Sequence, residues 1–208
     1  NGKNEEMLGE VFANHKRKEF VVATKVVPDD MDRKTGQLGE GATAEKFLAK
    51  FDESLKRLKL DYVDILYVHA ISSREAVLHP EMIKAVTTAK QQGKAKFIGI
   101  STHQNEPVVL RAMIESGVYD VALVAFNFKQ DHRAEVLAAI NEANKAGIGI
   151  VAMKTMAGGF LDKEKTKPVN TKAALKWVMQ NEAVCTAIPG FTTLAQLEES
   201  FSVMGDLT

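Results

Sequence analysis

Residues 62–70 read YVDILYVHA. Tyr62, Val63, Ile65, Leu66, Tyr67 and Val68 form a nearly continuous apolar run, interrupted only by Asp64 and closed by His69. A run of this length with no alternation belongs to a strand buried on both faces, as in a parallel sheet covered by helices. A histidine at the carboxyl end of such a strand is either a hydrogen-bonded core residue or part of a site. The other strand-like runs are needed to choose between these.

Five more runs of the same kind occur: Phe20–Val26, Lys96–Ser101, Val121–Asn127, Ile148–Lys154 and Val184–Pro189. Helical periodicity fills the spaces between them. Phe47–Leu60 puts Phe47, Phe51, Leu55 and Leu58 on one face, and Val108–Ile114, Ala134–Ala146 and Ala173–Val178 behave alike. Gly93, Gly117 and Gly147 follow helical stretches, where a left-handed terminator is wanted, and Thr193-Leu194-Ala195-Gln196 fits a capping box.

Strand then helix, repeated without a hairpin signal, predicts parallel strands joined by helical crossovers. An open doubly wound sheet usually has a glycine-rich turn after its first strand. Here Gly147-Ile148-Gly149 precedes its strand instead. A (β/α)8 barrel demands polar residues at the carboxyl ends of several strands. The six runs close on Thr24-Lys25, His69, Ser101-Thr102, Asn127, Lys154-Thr155 and Pro189-Gly190. Each alone has an ordinary structural explanation, such as a snorkelling lysine or a capping hydroxyl. Together they favour the barrel and a lined pocket.

Bulk composition narrows the function classes. The 208 residues are 45% hydrophobic and 26% charged, and Lys+Arg and Asp+Glu both number 27. That balance offers no electrostatic footprint for nucleic acid or an anionic membrane. The apolar runs are strand length, too short to span a bilayer, and no basic and apolar leader is visible. The single Cys185 allows no internal disulfide. The expectation is one soluble cytoplasmic domain over residues 1–208. His15, His79, His103 and His132 are scattered without ligand spacing, so no metal site is expected. The Pro28–Gly41 loop, PDDMDRKTGQLGEG, reads as a polar substrate lid. Nothing in the sequence speaks to oligomeric state.

The segments EFVVATKV (19–26), SLKRLKLDYVDILYVHA (54–70), GKAKFIGIS (93–101), GIGIVAMKTMAGG (147–159), ALKWVMQN (174–181), AIPG (187–190) and AQLEES (195–200) resemble the aldo-keto reductase family, in the family's order. The resemblance implies a barrel binding NADPH or NADH at its carboxyl face and reducing aldehydes or ketones without a metal. It implies that Lys25 and His69 are two members of a catalytic set of aspartate, tyrosine, lysine and histidine. The lysine would favour the phenolate of a neighbouring tyrosine, and the histidine would hold the carbonyl oxygen. The family's tyrosine and aspartate lie just upstream of a segment like NGKNEEMLGE. The chain is therefore expected to be an interior portion of a longer protein, with about six of the eight βα units and incomplete at both ends. Tyr62, Tyr67 and Tyr119 are not placed to substitute for that tyrosine.

The resemblance also assigns a cofactor set: Ser101, Thr102, Asn127, Met153, Lys154, Gly190, Phe191, Thr192, Gln196 and Glu199. Ser101 matches a carboxamide contact, Leu123 falls near a glutamine that shares it, and Met153 stands where a tyrosine stacks on the nicotinamide. Gly190 and Gln196 occupy the usual basic positions of NADPH-selective members, which leaves NADPH and NADH both open. Gln196 is equally explained by the capping box. Two other readings stand beside carbonyl reduction. Lys154 could form a Schiff base as in class I aldolases, which leaves Lys25 and His69 unexplained. Potassium-channel beta subunits resemble the same family, so a catalytically inactive cofactor-binding or regulatory protein of this fold is the alternative.

Overall fold

A computed structural model describes residues 2–204. Among them six strands form one parallel sheet in the order β1-β2-β3-β4-β5-β6, each beside its neighbour in sequence. These are β1 (Ala23–Val26), β2 (Val63–Val68), β3 (Ala95–Thr102), β4 (Val121–Ala125), β5 (Gly149–Met153) and β6 (Thr186–Ala187). A doubly wound sheet reverses its order midway. Unbroken sequential order is the wall of a (β/α)8 barrel, here six consecutive units of it.

The helices are α1 (Lys3–Phe12), α2 (Ala44–Leu58), α3 (Arg74–Val77), α4 (Pro80–Gln91), α5 (Glu106–Ser116), α6 (Arg133–Lys145), α7 (Thr171–Met179) and α8 (Leu194–Phe201). The main core lies between helices and sheet. Outward residues of the strands, Val63, Leu66, Val68, Ile98, Ile100, Val124 and Ile150, meet Phe47, Phe51, Leu58, Met82, Val109 and Ile140 of the helices. The inner face carries its own smaller cluster of Tyr67, Leu123, Ala125 and Met153. Elsewhere that face is open, and Val21 before β1, Phe97 near the start of β3 and Ile188 after β6 remain 78%, 50% and 47% exposed. Two-sided coverage near the middle of the sheet explains why the runs read as continuous hydrophobics.

The predicted face of α2 is the one observed, with Phe47, Phe51, Leu55 and Leu58 buried and Thr43 accepting from the Lys46 N–H at 3.4 Å. The last helix starts differently from a capping box. Thr193 accepts from the Gln196 N–H at 3.3 Å, but the Gln196 side chain accepts from the Thr192 N–H at 2.8 Å rather than reaching Thr193. Two helices carry weak signals. The buried face of α4 is Met82, Ala85, Val86 and Ala89, mostly small residues, so only Pro80 and Gly93 mark it strongly. In α1 the sole buried residue is Gly9, where a Cβ would sit 2.4 Å from the Arg57 carbonyl of α2.

The interruption in the opening run has a definite role. Asp64 is 7% exposed; its Oδ2 accepts from Arg17 Nη2 at 2.6 Å and from the Val22 N–H at 2.9 Å, and its Oδ1 accepts from Lys96 Nζ at 2.9 Å. One carboxylate thus ties the approach to β1 to the start of β3. Burial pushes the Asp64 pKa up, but the donors from Val22, Lys96 and Arg17 outweigh it and hold it below the ordinary value.

Candidate active site

The carboxyl ends of the strands converge on the inner face. Lys25 pairs in register with Tyr67, and Tyr67 with Gly99, which places β1, β2 and β3 side by side there. Gly99 is needed at this point, because a Cβ would lie 2.1 Å from the Val121 carbonyl and 3.0 Å from the Tyr67 ring. His69 follows β2 and donates its backbone N–H to the Val26 carbonyl at 2.9 Å. Alternation then sends the side chains of Lys25, Tyr67 and His69 to the same face.

Neither Lys25 nor the His69 ring has a hydrogen-bond or ion-pair partner among the described residues. Burial, reinforced by the positive charge of Lys25 and by His103 and Arg33, brings the His69 pKa down to about 4. The imidazole is therefore neutral near pH 7 and keeps one N–H to donate. Lys25 is exposed overall, yet partial desolvation of its ammonium lowers its pKa. The two tyrosines with shifted values, Tyr67 and Tyr119, are both pushed up by burial. Tyr119 donates its hydroxyl to the Val77 carbonyl at 2.8 Å, far from the inner face.

His103, one of the scattered histidines of the sequence, adds a second imidazole. Its ring centroid is 5.9 Å from that of His69, with the planes 55° apart. Its Nδ1 is buried without a partner, and desolvation with the charges of Lys154 and Lys25 lowers its pKa against the opposing pull of Glu106. The two imidazoles share a cavity of about 350 Å³ with Arg33, Met31, Gly36 and Ser72.

A larger cavity, about 610 Å³, opens where β4, β5 and β6 end, lined by Asn127, Lys129, Lys154, Thr155, Gly158 and Gly190 among others. Lys154, which turns out of β5 through a left-handed φ of 55°, is exposed there. Thr155 is 1% exposed, and its hydroxyl is buried without a hydrogen-bond partner. Asn127 accepts the Lys129 N–H on its Oδ1 at 3.0 Å, leaving its amide nitrogen to donate elsewhere. It is held by Gln130, whose Oε1 accepts the Asn127 N–H at 2.9 Å. The Gln130 amide in turn donates to Glu106 Oε1 at 3.1 Å and to the Ala125 carbonyl at 3.2 Å. Glu106, 1% exposed, also meets His132 Nε2 at 2.9 Å.

The predicted cofactor set divides. Asn127, Lys154 and Gly190 line the larger cavity, and Met153 lies in the inner cluster beneath it. Ser101 is fully buried, its Oγ accepting the Ala70 N–H at 3.1 Å, with its own hydrogen left to donate. Thr102 faces the opposite way and donates to the Gln104 carbonyl at 2.8 Å. Phe191, Thr192 and Gln196 are exposed at the start of α8, and Glu199 is half-buried within it. Sequence reasoning named Thr155 only as a strand end without a role, and passed over Arg33, Gln130 and Glu106. The last three carried no local signal. Among the described residues no three His, Cys, Asp or Glu side chains gather as a metal site, and no helix is long and apolar enough to cross a membrane.

The sequence model of the aldo/keto reductase family matches residues 1–173. The chain is a member of that family. Its curated relatives include L-galactose dehydrogenase of Arabidopsis thaliana, 27% identical and aligned over 92% of this chain and 66% of its own length. An L-glyceraldehyde 3-phosphate reductase of Escherichia coli O157:H7 is 24% identical over 97% of this chain and 69% of its own. Among solved structures, an aldo-keto reductase from Bacillus halodurans in its holo form superposes with a TM-score of 0.74 at 19% identity, covering 97% of this chain and 72% of that one. That likeness carries the fold, a (β/α)8 barrel. The chain spans about two-thirds of the length of these relatives.

Proposed function

We propose that the protein reduces aldehydes or ketones to alcohols with NADPH or NADH, and that Lys25 and His69 are two members of its catalytic set. The observation that supports this most is the pairing of an ion-unpaired lysine and a neutral, unpartnered histidine on adjacent strands of one barrel mouth. A neutral imidazole is the form that can donate to a carbonyl oxygen without itself requiring a counter-charge. Lys25, next to it, stabilises negative charge developing on that oxygen or on a nearby phenolate.

The larger cavity fits a dinucleotide. The orphaned Thr155 hydroxyl, the free amide nitrogen of Asn127 and the exposed Lys154 ammonium are the donors such a ligand would use, and Gly190 leaves its backbone open. Ser101 retains one hydroxyl hydrogen for it. When bound, a nicotinamide supplies the hydride. Met153 offers a soft apolar surface beside it, and the buried Glu106–Gln130 chain keeps Asn127 in place.

The alternative, a cofactor-binding or regulatory protein of the same fold, draws on the tyrosines. Burial makes Tyr67 and Tyr119 weaker acids, so neither suits proton donation. The reductase reading therefore needs a proton donor other than these two tyrosines. Peptide mapping of the full-length protein, with nicotinamide absorbance followed in the presence of 4-nitrobenzaldehyde, separates the two. A tyrosine just before Asn1 and turnover abolished by Lys25→Met and His69→Gln would support the reductase. Nucleotide binding without turnover, and no such tyrosine, would leave the regulatory reading.

A further inference from the structure

The smaller cavity, beside His69, has an electrostatic character that bears on what enters it. Arg33 reaches it from the loop after β1, and His69 and His103 form its inner wall. The charges acting on these two imidazoles are Lys25, Arg33 and Lys154, with Glu106 the one opposing acid. Glu106 is already engaged by Gln130 and His132. The acids of the Arg33 loop are engaged too: Asp29 pairs with Lys50 at 2.7 Å, Asp30 accepts the Gly41 N–H at 2.9 Å, and Asp32 accepts the Lys34 N–H at 2.8 Å. Glu40, on the same loop, does not line the cavity. Arg33 has no hydrogen-bond or ion-pair partner among the described residues.

That loop is built. Asp32 N–H donates to the Gln37 carbonyl at 2.9 Å and Gly36 N–H to the Asp32 carbonyl at 2.8 Å, and Met31 bridges Leu38. Ser73 Oγ donates to the Gly36 carbonyl at 2.8 Å, and Gly36, at φ 73°, leaves no room for a Cβ, which would lie 2.2 Å from Ser72 Oγ. The turn carrying Arg33 is therefore fastened to the β2 exit, not loosely draped over it.

We propose that this cavity selects carbonyl compounds bearing a carboxylate or phosphate, with Arg33 as the counter-ion; this rests on the reductase reading of the same site. A neutral substrate would cover an unpaired guanidinium without compensating it, whereas a planar anion can accept two of its N–H groups. Nucleotide phosphates do not account for Arg33. It lines the smaller cavity and not the larger, whose wall carries Lys154, Thr155 and Gly190.

The test uses the full-length protein and three matched probes: 4-carboxybenzaldehyde, its methyl ester and 4-formylphenyl phosphate. Binding is read from the imidazole NMR signals of His69 and His103, and reduction separately from nicotinamide absorbance. The expected result is that at least one anionic probe binds about tenfold tighter than the ester, and that Arg33→Gln removes this preference, the anionic probe losing much more affinity than the ester. A preference for the carboxylate probe or the phosphate probe identifies which anion is meant. Equal binding of ester and anions, or an equal loss for all probes in Arg33→Gln, would overturn the proposal. Arg33-dependent anion binding with no reduction of any probe would refute the reductase reading and leave the anion site standing.

Discussion

Asp64 receives Arg17 at 2.6 Å through an almost wholly buried carboxylate, and the same side chain holds the Val22 N–H and Lys96. Removing it would leave a buried donor and a guanidinium unpaired. Asp64→Ala should lower unfolding free energy by about 2–3 kcal/mol, read as a shift of the urea midpoint at constant slope. The folded pKa of Asp64 is depressed, so its contribution is present above the unfolded value near 3.8 and is lost as pH falls through the folded one. The variant should lose less stability than the parent on acidification below pH 4.

His69 should stay neutral in NMR titration until about pH 4, because burial, the Lys25 charge, the neighbouring His103 and Arg33 oppose its protonation. The unfolded chain takes up that proton near pH 6.5, so His69 contributes stability above that value that is lost as pH falls toward 4. His69→Gln should flatten this part of the stability profile. Lys25→Met removes one of the opposing charges and should move the His69 midpoint upward.

Gly99→Ala should displace Tyr67 or separate β3 from β4, since the added methyl meets the Val121 carbonyl as well as the ring. A loss of about 1–3 kcal/mol is expected, with a change in near-ultraviolet circular dichroism from Tyr67.

Glu106→Ala frees Gln130 and His132 of their shared acceptor. Beyond a loss of about 1–3 kcal/mol, it should speed amide exchange at Asn127, whose N–H is held by Gln130. Normal exchange at Asn127 would show that Gln130 keeps its position without Glu106.

The strand–helix alternation was legible because parallel strands in this fold are apolar on both sides. The strand ends were less so: β1 begins at Ala23 instead of Phe20, and β6 shrinks to Thr186–Ala187. Hydrophobicity persists there after the ladder has ended, on the open inner face and in turns such as that at Lys154. Lys25, His69 and Asn127 stood out at strand ends. Arg33 did not, because a charge in a polar loop looks solvated until a turn locked by Gly36 and Ser73 aims it. Glu106 and Gln130 act through hydrogen bonds between elements, and no local pattern announces those.

The exits around His69 share one further property. Asp30, Ala70, Asn105 and Lys154 all turn at positive φ, between 51° and 62°, where a side chain is unwelcome and glycine would be easier. Ala70 sits directly after His69 and gives its N–H to Ser101. Glycine at position 70 should raise the melting temperature, and would also loosen the peptide that aims His69. Relief of that strain and precise aim of His69 therefore pull against each other at one peptide unit, so stabilising substitutions are better placed at the opposite end of the barrel.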